Sequence, residues 1–141
     1  MPRRFPRRGT TPGRVEITEE ERNRRGSVLI VDDSLEVRDL VTRLLERDGF
    51  EVVGEASTSA EALELAAQHN PDFVLLDFLM PQMNGAQLAP LLRTRVPNTR
   101  IIAFSGFLAD KPNWADDFLD KRRMADVAKL LSAFAPSGET S

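Results

Sequence analysis

Cysteine is absent from the 141 residues and histidine occurs once. The first absence excludes a disulfide framework, a thiolate nucleophile and any Cys-ligated metal site, and nothing points to an oxidising compartment. The second leaves only His69, beside Asn70-Pro71, where it reads as a helix cap rather than as a phosphorelay donor or a metal ligand. No apolar run approaches the ~20 residues that span a bilayer, and the basic start, MPRRFPRRGTTPGR, is not followed by the apolar stretch of a signal peptide. A soluble, cytoplasmic chain without membrane insertion is expected.

What is present suits one compact domain, because 41% hydrophobic content over this length is enough for a real core. Charge is divided unevenly. Residues 1–26 carry eight Arg against four Glu, a balance of +4, which leaves −7 for residues 27–141. The Arg, Pro and Gly of this basic N-terminal extension predict disorder, with a Thr18/Glu21 capping box able to open a short, marginal helix. Such an arm can touch nucleic acid or an acidic partner, but a solvated tail is the plainer reading. The expected organisation is the extension, one domain over 27–136 and a short polar tail over 137–141.

After Gly26 the pattern alternates strand and helix. Val28-Leu29-Ile30-Val31 is short, β-branched and uninterrupted, as in a strand covered on both faces. Ser34 to Asp48 then places Val37, Leu40, Val41, Leu44 and Leu45 at helical spacing, with Ser34 as N-cap and Gly49 as stop. Phe50–Val53 reads as a second strand, Thr58–Asn70 as a helix with a Thr58/Glu61 capping box, and Phe73–Leu76 as a strand delivering Asp77. A helix within Gly85–Arg95 follows, in which Pro90 predicts either a first-turn position or a kink. Arg100–Phe104 is a strand ending at Ser105, Asp117–Leu119 a last short one, and Met124, Val127, Leu131 and Phe134 mark one face of a closing helix that ends near Ala135. This alternation implies right-handed crossovers and a doubly wound, five-stranded parallel α/β sheet.

In such sheets the ligand site lies at the carboxyl ends of the strands. Asp32, Asp33, Asp77, Ser105 and Lys121 all fall there. Each acid alone has an ordinary explanation as a helix-capping, solvated or turn residue. Together they predict a cluster in which each carboxylate raises the proton affinity of the others unless a cation is present. Mg²⁺ suits such a cluster, since it takes oxygen ligands and is commonly held by one or two carboxylates plus a phosphate.

These residues resemble the receiver domain of two-component response regulators. VLIVDDS is similar to the family's first-strand acidic pair, DFLMPQMNG (77–85) to its phosphoacceptor loop, Ser105-Gly106 to its hydroxyl switch, and FLDK (118–121) to its aromatic and lysine positions. The resemblance spans roughly residues 27–135 and implies a flavodoxin-like strand order 2-1-3-4-5. It further implies that Asp77 accepts a phosphoryl group from a partner sensor histidine kinase or histidine phosphotransfer protein. Asp33 would bind Mg²⁺ directly, Asp32 largely through water, and the Leu79 backbone carbonyl would complete the ligands. Lys121 and Ser105 would contact the phosphoryl oxygens, Ser105 and Phe118 would form the switch, and Leu79 and Phe107 would tune dephosphorylation. Phosphoryl transfer needs mainly alignment and charge neutralisation, which a metal ion, an ammonium and a hydroxyl supply.

The chain departs from the family pattern in two places. Ser105 and Lys121 are separated by 16 positions, too few for a full fourth helix, which must be short, irregular or missing. Arg122 follows Lys121 where the family has proline; a cis bond without proline costs about 2.5–4 kcal/mol, so a trans peptide is expected. The Lys111-Pro112 pair lies six residues after Ser105 with no strand between, and is rejected as the active lysine. Trp114 reads as a packing residue.

Two enzyme classes fail on single positions. A haloacid-dehalogenase-like phosphatase needs an Asp where Leu79 stands, and a dinucleotide-binding enzyme needs GxGxxG where the chain has DDSLEV. The competing reading is a phosphorylation-independent interaction module of receiver architecture. No DNA-binding domain is expected after the closing helix, so signalling is expected to run through docking on another protein.

Overall fold

The computed structural model describes residues 25–134; all but the last two residues of the basic extension, the 137–141 tail and the expected helix end at Ala135 lie outside them. Five strands form one parallel sheet in the order β2-β1-β3-β4-β5. They are β1 (Ser27–Val31), β2 (Glu51–Ala56), β3 (Phe73–Asp77), β4 (Arg100–Ser105) and β5 (Asp117–Asp120). The helices are α1 (Leu35–Arg47), α2 (Ser59–His69), α3 (Gly85–Arg95) and, after a 3-10 turn over Lys121–Asp126, α4 (Val127–Ser132). None is long and apolar enough to cross a membrane among the described residues.

Strand alternation divides the core in two. Leu29, Val31, Val74, Leu76, Ile101 and Ala103 face α2 and α3, where Ala62, Ala66, Leu88 and Leu92 cover them. Val28, Ile30, Phe73, Leu75, Ile102 and Phe104 face the opposite way, onto Val41 and Leu45 of α1 and Val127 and Leu131 of α4. Both faces of β1, β3 and β4 are therefore dry, which is why these strands read as unbroken apolar runs. Truncating one of these fully buried side chains to Ala is expected to cost about 2–5 kcal/mol.

Helix starts follow their caps. Ser34 accepts from the Val37 N–H at 3.2 Å, and Asn84 and Gln87 form a reciprocal capping box at 2.9 and 3.0 Å. That box starts α3 at Gly85, so Pro90 lies inside the helix and not in its first turn. The expected Thr58/Glu61 box is displaced: Thr58 accepts from the Glu61 N–H, but the Glu61 carboxylate reaches the N–H of Ser57 instead. Asn70, with φ of 48°, is the C-cap of α2, and His69 is merely the last helical residue. β2 runs three residues further than the apolar pattern suggested, because a bulge opposite Val28/Leu29 lets Gly54, Glu55 and Ala56 continue the ladder. The closing helix also ends earlier than expected, at Ser132, and opens with the 3-10 turn in which Arg123 leaves helical geometry.

Between β4 and β5 there is no helix, only turns and bends over residues 106–116. Arg93 of α3 fastens this segment, donating to the Trp114 carbonyl at 3.0 Å and pairing with Asp116 at 3.2 Å. Asp116 also accepts from the Ile101 N–H at 2.8 Å, which aligns the start of β5 on β4.

Candidate functional site

The backbone leaves β1 at Asp32, whose N–H donates to the Ala56 carbonyl at 3.0 Å. Its carboxylate caps the following turn by accepting from the Ser34 N–H at 2.9 Å, and its carbonyl accepts from the Arg38 guanidinium at 2.7 Å. Asp32 is thus wholly buried while its neighbour Asp33 faces solvent. Asp77, the last residue of β3, is buried as well and accepts from the Leu79 N–H at 3.3 Å. Because β1 and β3 are adjacent and in register, the three acids converge, with ligand oxygens all within 4.8 Å of one another.

Lys121, just past β5, brings the compensating charge. Its Nζ stands 2.6 Å from Asp32 Oδ2 and 3.5 Å from Asp77 Oδ2, and 5.4 Å from the centre of the Phe104 ring. The contact with Asp32 is the closer of the two and pairs the buried Oδ2 directly with the ammonium. Burial first, and the Asp32 charge second, push the Asp77 pKa up to about 6, with Lys121 offsetting part of the shift.

A hard divalent cation fits this donor set. All three side chains offer oxygen, the cluster contains no nitrogen or sulfur ligand, and two of its carboxylates are buried with a single ammonium between them.

The other expected site residues are distributed as follows. Ser105, at the end of β4, is buried and its Oγ accepts from the Phe107 N–H at 2.9 Å. Phe118 is half-buried in β5 opposite Ala103. Leu79 and Phe107 are 48% and 74% exposed, flanking the strand ends without offering a polar side-chain group. Lys111 is turned into its own loop, donating to the Ala115 carbonyl at 3.3 Å. The Lys121-Arg122 peptide is trans, since no cis bond occurs among the described residues.

Some of the support was not foreseen from sequence. Asp120 caps the 3-10 turn by accepting from the Arg122 N–H at 2.9 Å and clamps the Arg122 side chain, which lowers the Asp120 pKa to about 2. This pair fixes the backbone on either side of Lys121 without proline. Arg38 and Arg93 also act at a distance in sequence, and only Arg38, in the first turn of α1 beside the acidic pair, carried a local hint of it.

The family model for the response regulator receiver domain matches residues 28–131. The chain belongs to that family. The receiver is similar to the chemotaxis protein CheY of Bacillus subtilis, 38% identical over 78 residues, which is 55% of this chain and 65% of that protein. It spans less than two thirds of the length of curated relatives such as this one. Among solved structures it resembles the response regulator domain of Thermotoga maritima CheB, with a TM-score of 0.69 at 26% identity over 81% of this chain and 98% of that one. It also resembles the CheX-CheY-BeF3-Mg²⁺ complex from Borrelia burgdorferi, with a TM-score of 0.64 at 28% identity over 77% of this chain and 89% of that one.

Proposed function

We propose that this receiver accepts a phosphoryl group on Asp77 in a Mg²⁺-dependent reaction and signals through a phosphorylation-dependent protein contact. The observation that carries the reading is the buried Asp77 carboxylate, with two further acids within 4.8 Å and the Lys121 ammonium at 3.5 Å. Asp32, Asp33, Asp77 and the Leu79 carbonyl are the residues that would hold the cation. When bound, Mg²⁺ supplies neutralisation of the negative charge on the phosphoryl oxygens.

The donor is a phosphohistidine on a sensor kinase or a phosphotransfer protein. A carboxylate oxygen of Asp77 attacks phosphorus in line, the P–N bond to the imidazole breaks, and the imidazole nitrogen leaves with the electron pair. Lys121 shifts from the two carboxylates toward a phosphoryl oxygen, and Ser105 hydrogen-bonds another. To do so Ser105 turns inward, and the space it leaves lets Phe118 rotate toward the core, which alters the surface around β5. Phe118 has no hydroxyl, so it reports by packing alone.

Intact-protein mass after incubation with Mg²⁺ and a small acyl-phosphate donor tests the reading. One phosphoryl adduct is expected, absent from Asp77→Asn and from a cation-free reaction. The missing helix between β4 and β5 favours the second reading, an interaction module independent of phosphorylation. A wild-type chain that takes no adduct from this donor or from a cognate kinase supports it.

A further inference from the structure

Trp114 is the only tryptophan of the chain, and it lies in the helix-free segment between β4 and β5. Its ring stacks on that of Phe78, the residue next to Asp77, with centroids 6.1 Å apart and planes 15° from parallel. The far edge of the same indole reaches Gly85. A Cβ there would fall 2.8 Å from Cη2 and 3.1 Å from Cζ2, as well as 3.3 Å from the Phe78 Cα. Gly85 has no left-handed φ, so the backbone would admit alanine, and the space for a side chain is taken largely by the indole.

Phe78 and Gly85 are the two ends of the phosphoacceptor loop, joined by a hydrogen bond from the Gly85 N–H to the Phe78 carbonyl at 2.9 Å. Within the loop, the bond from the Leu79 N–H to Asp77 is long, 3.3 Å, and holds the backbone only weakly. Besides the bond that closes its ends, the loop is supported from outside. Trp114 is itself anchored by Arg93 at its carbonyl and by Ala115, which is buried in the core next to it. The Trp114 ring therefore rests on both ends of a loop whose one bond to the reacting carboxylate is long.

We propose that Trp114 is a positioning residue for the phosphoacceptor loop: seated on Phe78 and Gly85, it sets the backbone at Leu79 and couples occupancy of the acidic site to the β4–β5 segment. The inference rests on the proposed role of the acidic site. It places the coupling in the segment where the sequence leaves no room for a full helix.

The test follows the emission of Trp114 in the full chain during titration with Mg²⁺, and the thermal midpoint as a function of Mg²⁺ in variants. A saturable emission change is expected, lost in Asp33→Ala. Trp114→Phe, which keeps an aromatic ring on Phe78, is expected to retain the Mg²⁺ dependence, while Trp114→Leu raises the half-saturating concentration by about tenfold, the lower range for loss of a group supporting a metal site. Gly85→Ala removes no contact, yet it should weaken the response in the same way by displacing the indole, and adding Trp114→Phe to it should restore the response. A flat emission trace overturns the inference, as does failure of the double variant to recover. Absence of a phosphoryl adduct defeats the proposed function instead, because these titrations require only the cation and still decide the role of Trp114.

Discussion

Lys121 Nζ stands closer to Asp32 than to Asp77, 2.6 Å from one carboxylate and 3.5 Å from the other. The ammonium thus holds together two buried acids that would otherwise repel. Its own side chain is 23% exposed, so part of its desolvation is relieved by water. Removing it while keeping the volume, as in Lys121→Met, leaves both carboxylates uncompensated. The cation-free variant is expected to lose about 1–3 kcal/mol of stability, below the full cost of breaking a wholly buried pair. The same change removes a competitor for Asp32, so Mg²⁺ should bind more tightly and stabilise the variant more than the wild type. Urea denaturation with and without Mg²⁺ checks both; equal gains from the cation in the two proteins would show that lysine and metal do not share the acid.

The pH dependence of stability follows from Asp77. Burial and the neighbouring Asp32 charge place its folded pKa at about 6, whereas an unfolded Asp titrates near about 3.9. Between these values the folded chain keeps a proton that the unfolded chain has lost. Without divalent cation, stability therefore falls as pH rises from about 4 to about 6, and the whole penalty, at most about 3 kcal/mol, stands above that range. Asp77→Asn removes the titrating group. It should exceed the wild type in stability near neutral pH and lose that advantage near pH ~4. Denaturation curves across this range decide the matter, since a difference that does not vary with pH refutes the raised pKa. The phosphorylation rate should likewise climb as Asp77 ionises, with Mg²⁺ moving the rise to lower pH.

The parts of this site that could be read in sequence were those that local physics forces. Paired acids after an unbroken apolar strand, and a third acid after another, converge whenever the strands are parallel and adjacent, so Asp32, Asp33 and Asp77 were visible in one dimension. The same holds for Ser34, whose side chain does its capping within three residues; the Asn84/Gln87 box is just as local but was not read from the sequence. Long-range ties carried no such mark. Nothing near Arg93 announces that it reaches the Trp114 carbonyl 21 positions away, and a half-buried tryptophan in an irregular loop has no periodicity to betray its partner. Of the two readings of Pro90, the first-turn one fails, because the Asn84/Gln87 box starts the helix five residues earlier and leaves the proline inside it.

Loss of the phosphoryl group requires a water molecule aligned for attack on phosphorus, and alignment requires a hydrogen-bonding side chain near it. Leu79 and Phe107 each follow a strand-end site residue by two positions, and both expose apolar groups that can hold no water in place. A slow return to the unphosphorylated state is expected. Because both side chains face solvent, polar replacements should be tolerated by the fold with little change in stability. Leu79→Asn combined with Phe107→Glu is therefore expected to shorten the lifetime of the Asp77 adduct by about tenfold or more, at the low end of what a positioned general base contributes. Decay of the adduct mass after removal of the donor gives the lifetime directly. A wild-type lifetime already as short as that of the double variant would mean that water reaches the phosphorus by a route these two residues do not control.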